Sequence, residues 1–279
     1  MKSPKFWLRQ IYGELRIARR RKELEHEISR SLRRELHLSR YGNGRNDSIY
    51  LASNGAEKVA VLRVLNPAKK GFLNWTWVAK KRKNRASGSV KASVMGASSL
   101  NREWDLLMRL SDSGITPRPL WRTQDATAVA YLPGKRLRDL LTQKPPEAWW
   151  IWIDLTFAAL NRLHRYGVAH NDANASNTLV NEPAGEVFFI DLDCGPKKMV
   201  LIEQQQILDY LKIVASILQI APSIVRRDGK AWADAVGPHV PENLRIVGID
   251  NVLERKTLRH LRRNLAVRKE FSSIFRCLE

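Results

Sequence analysis

Cysteine is nearly missing from this 279-residue chain, which has only Cys194 and Cys277. Two are too few for a disulfide framework, and they lack the spacing of a metal site. Long apolar runs are missing too. The greasiest stretch, AWWIWIDLTFAAL from Ala148 to Leu160, is too short to span a bilayer and carries Asp154 inside it. The N-terminal MKSPKFWLRQIYGELRIARRRK has no apolar core of the length a signal peptide needs. These absences lead us to expect a soluble or peripheral protein of a reducing, cytoplasmic compartment. Acidic residues are scarce: 28 Asp and Glu stand against 48 Lys and Arg, a formal net charge of +20. Such a field attracts nucleic acid, an acidic membrane surface, or phosphorylated and carboxylated ligands, and composition does not choose among them.

The remaining composition, 44% apolar and 27% charged, is that of a globular chain long enough for two lobes. Leu24, Ile28, Leu32 and Leu36 recur every four residues, which predicts a helix from residue 5 to about 36, with the basic cluster Arg19 to Lys22 just before the stripe. LHLSRYGNG reads as a strand entering a glycine turn, and SIYLA and KVAVLRVL as two more strands joined by a hairpin at SNG. Residues 66–98 hold eight Lys and Arg and no acid, with Phe72, Trp75 and Trp77 interleaved; they read as a mobile basic insertion. SLNREWDLLMRLSDSG suits a helix stopped at Gly114, and PRPLWR and TAVAYL suit two further strands. After Pro133-Gly134 the pattern is mostly helical, with candidates at 147–167, 201–219, 222–235 and 251–275. The exceptions are NTLV and EVFFI, two short strands flanking a turn.

The expected fold is therefore α+β and bilobal. It has an N-terminal basic helical extension (1–35), a small β-rich N-lobe (36–131, carrying the insertion 66–98) and a larger α-helical C-lobe (132–279). A cleft between two lobes is a common ligand site.

The chemistry concentrates in HNDANASNTLV, His170 to Val180, and in FFIDLD, which ends at Asp193. His170, Asp172 and Asn177 share one loop, and the strand EVFFI delivers Asp191 to the mouth of that loop. Phosphoryl transfer from ATP needs a carboxylate to orient or deprotonate the acceptor hydroxyl. It also needs hard oxygen ligands for magnesium, which prefers carboxylates and substrate phosphates. One Asp, an amide five residues later and an Asp on the next strand meet that demand. The competing reading is a solvated polar loop beside a strand with an acidic end.

The pattern His-x-Asp-x-x-x-x-Asn followed by an apolar strand and Asp resembles the catalytic loop and metal-binding Asp of the protein-kinase-like superfamily. DANASNTLV and FFIDLDCG, together with Leu62-Arg63 and REWDLLMRL followed by GITPRPL, are most similar to bacterial 3-deoxy-D-manno-octulosonic acid (Kdo) kinases and related lipopolysaccharide core kinases. The lobe order agrees over roughly residues 36 to 220. The resemblance implies roles. Asp172, in the catalytic loop 170–177, would act on the acceptor hydroxyl, and Asn177 and Asp191 would hold Mg2+. Arg63 would bind the ATP phosphates and pair with Glu103, and Gly42 and Gly44 would cover the phosphates. His170 is read as shaping the loop. Asp193 is left open between metal ligand and cap.

Two departures stand out. Arg63 occupies the position where most kinases have Lys, and the glycine loop YGNGRNDS has Asp47-Ser48 in place of a third glycine. No long activation segment ending in Ala-Pro-Glu follows Asp191, which favours a small-molecule or glycan acceptor over a peptide. The resemblance implies an anionic glycolipid substrate of the lipid A-core type, with peripheral contact at the inner face of the cytoplasmic membrane. Phe6, Trp7, Ile11 and Leu15 beside basic residues suit an interfacial helix. Nucleic acid ranks below the glycolipid as a partner. The alternatives are a kinase acting on a protein or another small molecule, and a catalytically weak kinase-like scaffold that binds anionic partners.

Overall fold

The computed structural model describes residues 4–43, 47–65, 97–195, 200–220 and 228–247, with Lys269 and Ile274. The expected helix near the C-terminus, most of the basic insertion, and Gly44 lie outside these residues. The chain is α+β, as expected, and divides into two compact units, one sheet-based and one mainly helical. The division falls within one helix, between Asp105 and Leu106.

The first unit begins with α1 (Pro4–Leu32) and holds β1 (His37–Asn43), β2 (Asp47–Asn54) and β3 (Glu57–Leu65). It continues into α2 (Ala97–Arg109), β4 (Pro119–Arg122) and β5 (Ala126–Ala130). The strands form one antiparallel sheet in the order β1-β2-β3-β5-β4. Strand alternation sorts its two faces. Leu38, Tyr50, Ala52, Leu62 and Val64 point to one side and bury with Leu24 and Ile28 of α1. Ile49, Leu51, Val61 and Arg63 point to the other and remain half-buried. A stem of ion pairs fastens α1: Arg20 bonds Asp125 beside β5 at 3.1 Å and Glu27 on its own helix at 2.6 Å.

The helix ends four residues earlier than its leucine spacing suggests. Arg33 adopts φ +51, and Leu36 reaches the same core from beyond that turn. Ser29 Oγ accepts its backbone N–H at 3.0 Å, so a side chain replaces the helical hydrogen bond.

The second unit contains β6 (Lys135–Arg136), α3 (Leu137–Gln143), α4 (Trp149–Arg165), β7 (Thr178–Asn181) and β8 (Glu186–Phe189). It then runs through α5 (Ile202–Ile220), α6 (Gly229–Val236) and the single turn α7 (Glu242–Arg245). The expected hairpin of NTLV and EVFFI forms as β7 and β8, and β6 adds a third strand that is too short to leave a periodic signal. α5 is buried over most of its length, and α4 buries one face, with Ile153, Phe157, Leu160 and Leu163. Phe157 stacks on Tyr210 at 5.9 Å between ring centres, and Trp150 meets Trp232 edge to face at 5.8 Å. No helix among the described residues is long and apolar enough to cross a membrane.

Gly134 makes the β6 turn possible. It sits at φ +140, and a Cβ there would lie 2.5 Å from the carbonyl oxygen of Val180 in β7. Neither the backbone conformation nor the neighbouring strand can yield cheaply. Gly134→Ala should therefore lower stability by roughly 2–4 kcal/mol, from strain and overpacking together. Chemical denaturation checks this: the midpoint falls, whereas Gly185→Ala, whose Cβ meets nothing within 4 Å, costs only its φ strain.

Candidate functional site

In the second unit, the loop between α4 and β7 is built around one acid that the sequence reading did not single out. Asp209 lies on α5 and is fully buried. Its Oδ2 accepts the backbone N–H of His170 at 2.7 Å and its Oδ1 that of Asn171 at 2.7 Å. His164 Nε2 lies 3.2 Å from Oδ2. A carboxylate can be buried only if such donors replace its hydration. Its neighbours on α5 extend the clamp. Gln205 accepts from Asn171 Nδ2 at 2.7 Å, Gln206 Nε2 donates to the carbonyls of His164 and Val168, and Lys212 Nζ donates to the carbonyl of Asn171. Asn171 is thereby held at φ +61, a left-handed conformation that non-glycine residues seldom adopt.

That turn sets up Asp172. Asn177 Nδ2 donates to Asp172 Oδ2 at 3.1 Å and to its carbonyl at 3.0 Å, and Asn174 Nδ2 donates to the same carbonyl at 2.7 Å. Asn174 Oδ1 in turn accepts from the backbone of Ser176 and Asn177. The amides of the polar run therefore hold one another and fix a partly exposed carboxylate. The structure brings together the predicted Asp172 and Asn177.

His170 joins this loop to the next strand. Its ring is fully buried. The backbone N–H of Asp172 donates to Nδ1 at 3.3 Å, so Nε2 carries the proton and donates to the carbonyl of Ile190 at 2.9 Å. The backbone N–H of Ile190 also donates to the carbonyl of Asn177 at 3.0 Å. Asp191 follows at once, exposed and left-handed at φ +65, where β8 ends and a short turn (Leu192–Cys194) begins. The Cys194 thiol is pushed up to about 12, by burial first and then by the carboxylates of Asp193, Asp172 and Asp191. Three acids thus raise a negative potential around one point. Gly195 closes the turn, and a Cβ there would fall 2.2 Å from Leu106 Cδ1, so that side chain would have to shift to admit it.

In the first unit, Arg63 on β3 meets Glu103 on α2, with Nη1 2.7 Å from Oε2. Its Nε donates to Asp47 Oδ2. Gly42 stands in β1 opposite Ile49 of β2, beside a register shift, with open space at its Cα. Among the described residues, no group of three or more His, Cys, Asp or Glu side chains is placed to enclose a metal ion.

The buried His164 gives the second unit a pH response. Burial holds its imidazole below the ordinary value of 6.5, against the opposing pull of Asp209, and Nδ1 has no hydrogen-bond partner among the described residues. Because the folded pKa lies below the unfolded one, the unfolded chain binds the proton first. The stabilisation is complete above about pH 6.5 and is lost as pH falls toward the folded pKa. Thermal unfolding between pH 7.5 and 5.5 should show a steeper fall for the wild type than for His164→Gln.

The sequence matches no protein-family model and no curated protein. Among solved structures, the chain is similar to that of WaaP in complex with acyl carrier protein, at 15% identity and a TM-score of 0.48, over 89% of this chain and 92% of that one. This is a distant likeness of fold.

Proposed function

We propose that the protein is an ATP- and Mg2+-dependent phosphotransferase that phosphorylates a hydroxyl of a Kdo or related sugar in the lipopolysaccharide inner core. The observation that carries the reading is the loop around Asp172: a carboxylate gripped by Asn177, bonded through His170 to the strand end that presents Asp191 in a left-handed conformation. Backbone strain of this kind collects where a side chain must be aimed.

In this reading Asp172 accepts the hydrogen bond, and then the proton, of the acceptor hydroxyl. Asn177 fixes its rotamer. With Nδ2 turned to Asp172, the amide offers Oδ1 to a cation. Asn177 and Asp191 would hold Mg2+, and one or two protein oxygens with substrate phosphates are the usual magnesium set, so a larger cluster is not required. When bound, the ion would neutralise charge on the transferring phosphoryl group. Arg63, paired with Glu103, would hold the ATP phosphates, and Gly42 and Gly44 would cover them.

Two features support a glycan acceptor. α5 begins at Ile202, leaving only residues 192–201 after Asp191 for an acceptor-docking segment. The net charge of +20 would steer a phosphorylated, carboxylated glycolipid toward the enzyme. Arg19, Arg21 and Lys22 are exposed on α1 and suit peripheral contact with an anionic membrane at its cytoplasmic face.

The test is transfer from γ-labelled ATP to Kdo-lipid A, with membrane protein and soluble sugars as competing acceptors. Label in the glycolipid fraction supports the reading. Label on protein or soluble sugar keeps the reaction and changes the substrate. Salt-sensitive nucleic-acid binding without ATP turnover would favour a scaffold.

A further inference from the structure

Asp47 stands where the sequence reading found only a missing glycine. It opens β2, two residues before Ile49, and Ile49 lies directly opposite Arg63 on β3. Residues two apart on a strand share a face, so Asp47 reaches Arg63 diagonally across the ladder. The Asp47 side chain is 4% exposed and that of Glu103 11%. A carboxylate taken so far out of water loses hydration that must be replaced by strong donors. Arg63 supplies them: Nε to Asp47 and Nη1 to Glu103.

The consequence is geometric. A guanidinium on a four-bond stem has many rotamers, and one carboxylate would still let the plane swing about the contact. Two carboxylates on different edges, one from the sheet and one from α2, fix both the position of the group and its plane. A lysine ammonium is a point charge with rotatable donors and cannot be set this way. Asp47 thus accounts for the occurrence of Arg at position 63.

We propose that Asp47 is a positioning residue for a polyphosphate ligand, the nucleotide of the phosphotransferase reading, on which this inference rests: by fixing the Arg63 plane it orients the fork toward the phosphates. Asp47 does not touch the nucleotide in this scheme and acts through Arg63.

The experiment measures MgATP affinity by calorimetry, and KM and kcat by label transfer, for the full chain as wild type, Asp47→Asn, Arg63→Lys and the double variant. Asp47→Asn keeps the shape and removes the charge. Its expected effect is a nucleotide affinity about tenfold weaker, a shift of about 1.4 kcal/mol, carried in KM for ATP rather than KM for the acceptor, with the thermal midpoint followed in parallel. In the Arg63→Lys background the same change should have little further effect, because the fork it orients is gone. Wild-type affinity in a folded Asp47→Asn variant, or additive losses in the double variant, would overturn the inference while leaving the phosphotransferase reading intact. If Asp47→Asn does not fold, Arg63→Lys alone decides: undiminished ATP affinity overturns the inference. A wild type that binds no nucleotide overturns the phosphotransferase reading and this inference with it.

Discussion

Replacing Asp172 by Asn is expected to lower the rate of phosphoryl transfer by roughly 10²–10⁴-fold, the range of a lost general base, and to leave the fold in place. The side chain is partly exposed, and its main structural bond is the one it accepts from Asn177 Nδ2 at 3.1 Å. An asparagine preserves the shape and can still accept that bond through its amide oxygen. It cannot take a proton from an attacking hydroxyl. The loss should therefore sit in kcat, with ATP affinity close to wild type and an unchanged thermal midpoint. A single-turnover assay beside calorimetric ATP binding separates these quantities.

Asp209 is expected to behave in the opposite way. It is fully buried and serves three donors from the α4–β7 segment. In Asp209→Asn, one oxygen can still accept from a backbone N–H, but the new NH₂ group faces the other as donor against donor. Unsatisfied buried groups cost about 1–3 kcal/mol each, and charged partners more. Asp209→Ala leaves both backbone N–H groups and the neutral His164 without their acceptor and should cost about 3–5 kcal/mol, the sum of several unsatisfied buried donors. For a chain of this size, that is a fall in thermal midpoint of roughly 6–20 °C. The left-handed Asn171 is held largely by this acid, so activity should fall with stability even at temperatures where the variant is folded. Glu35→Gln, at an 85% exposed side chain, is the control that should change neither.

The contrast between these residues explains what the sequence made legible. Asp172, Asn177 and Asp191 stand out because polar residues interrupt apolar segments at spacings that one hairpin brings together. Asp209 makes no such interruption. It is one of two acids inside LIEQQQILDYLKIV, with Glu203 before it and Lys212 after it, and scattered charges and amides of this kind read as the solvent face of an amphipathic helix. Only the buried backbone it serves, some 40 residues earlier in the chain, reveals its role. Asp47 was hidden for a different reason. In a glycine-rich turn, attention falls on the residues that allow backbone approach, while its partner Arg63 is distant in sequence and close only through the β2–β3 register.

The places of most strands and helices along the chain were readable because alternation and glycine stops agree with each other. SNG gives a turn with Gly55 at φ +56, and Gly114 at φ +66 follows α2. The end of α1 was not readable. Leu36 continues the four-residue stripe into a segment that is no longer helical, since burial and helicity leave the same periodic trace until a turn such as Arg33 separates them.

In the proposed reaction, the loop around Asp172 and the strand end at Asp191 together form the phosphoryl-transfer centre. The most direct measurement is label transfer from γ-labelled ATP to Kdo-lipid A by the wild type and by Asp191→Asn, each titrated with Mg2+. The expected result is transfer by the wild type that requires the cation, and a variant with a weakened Mg2+ response and little transfer even at saturation. Transfer that is equally efficient in Asp191→Asn at every Mg2+ concentration would contradict it.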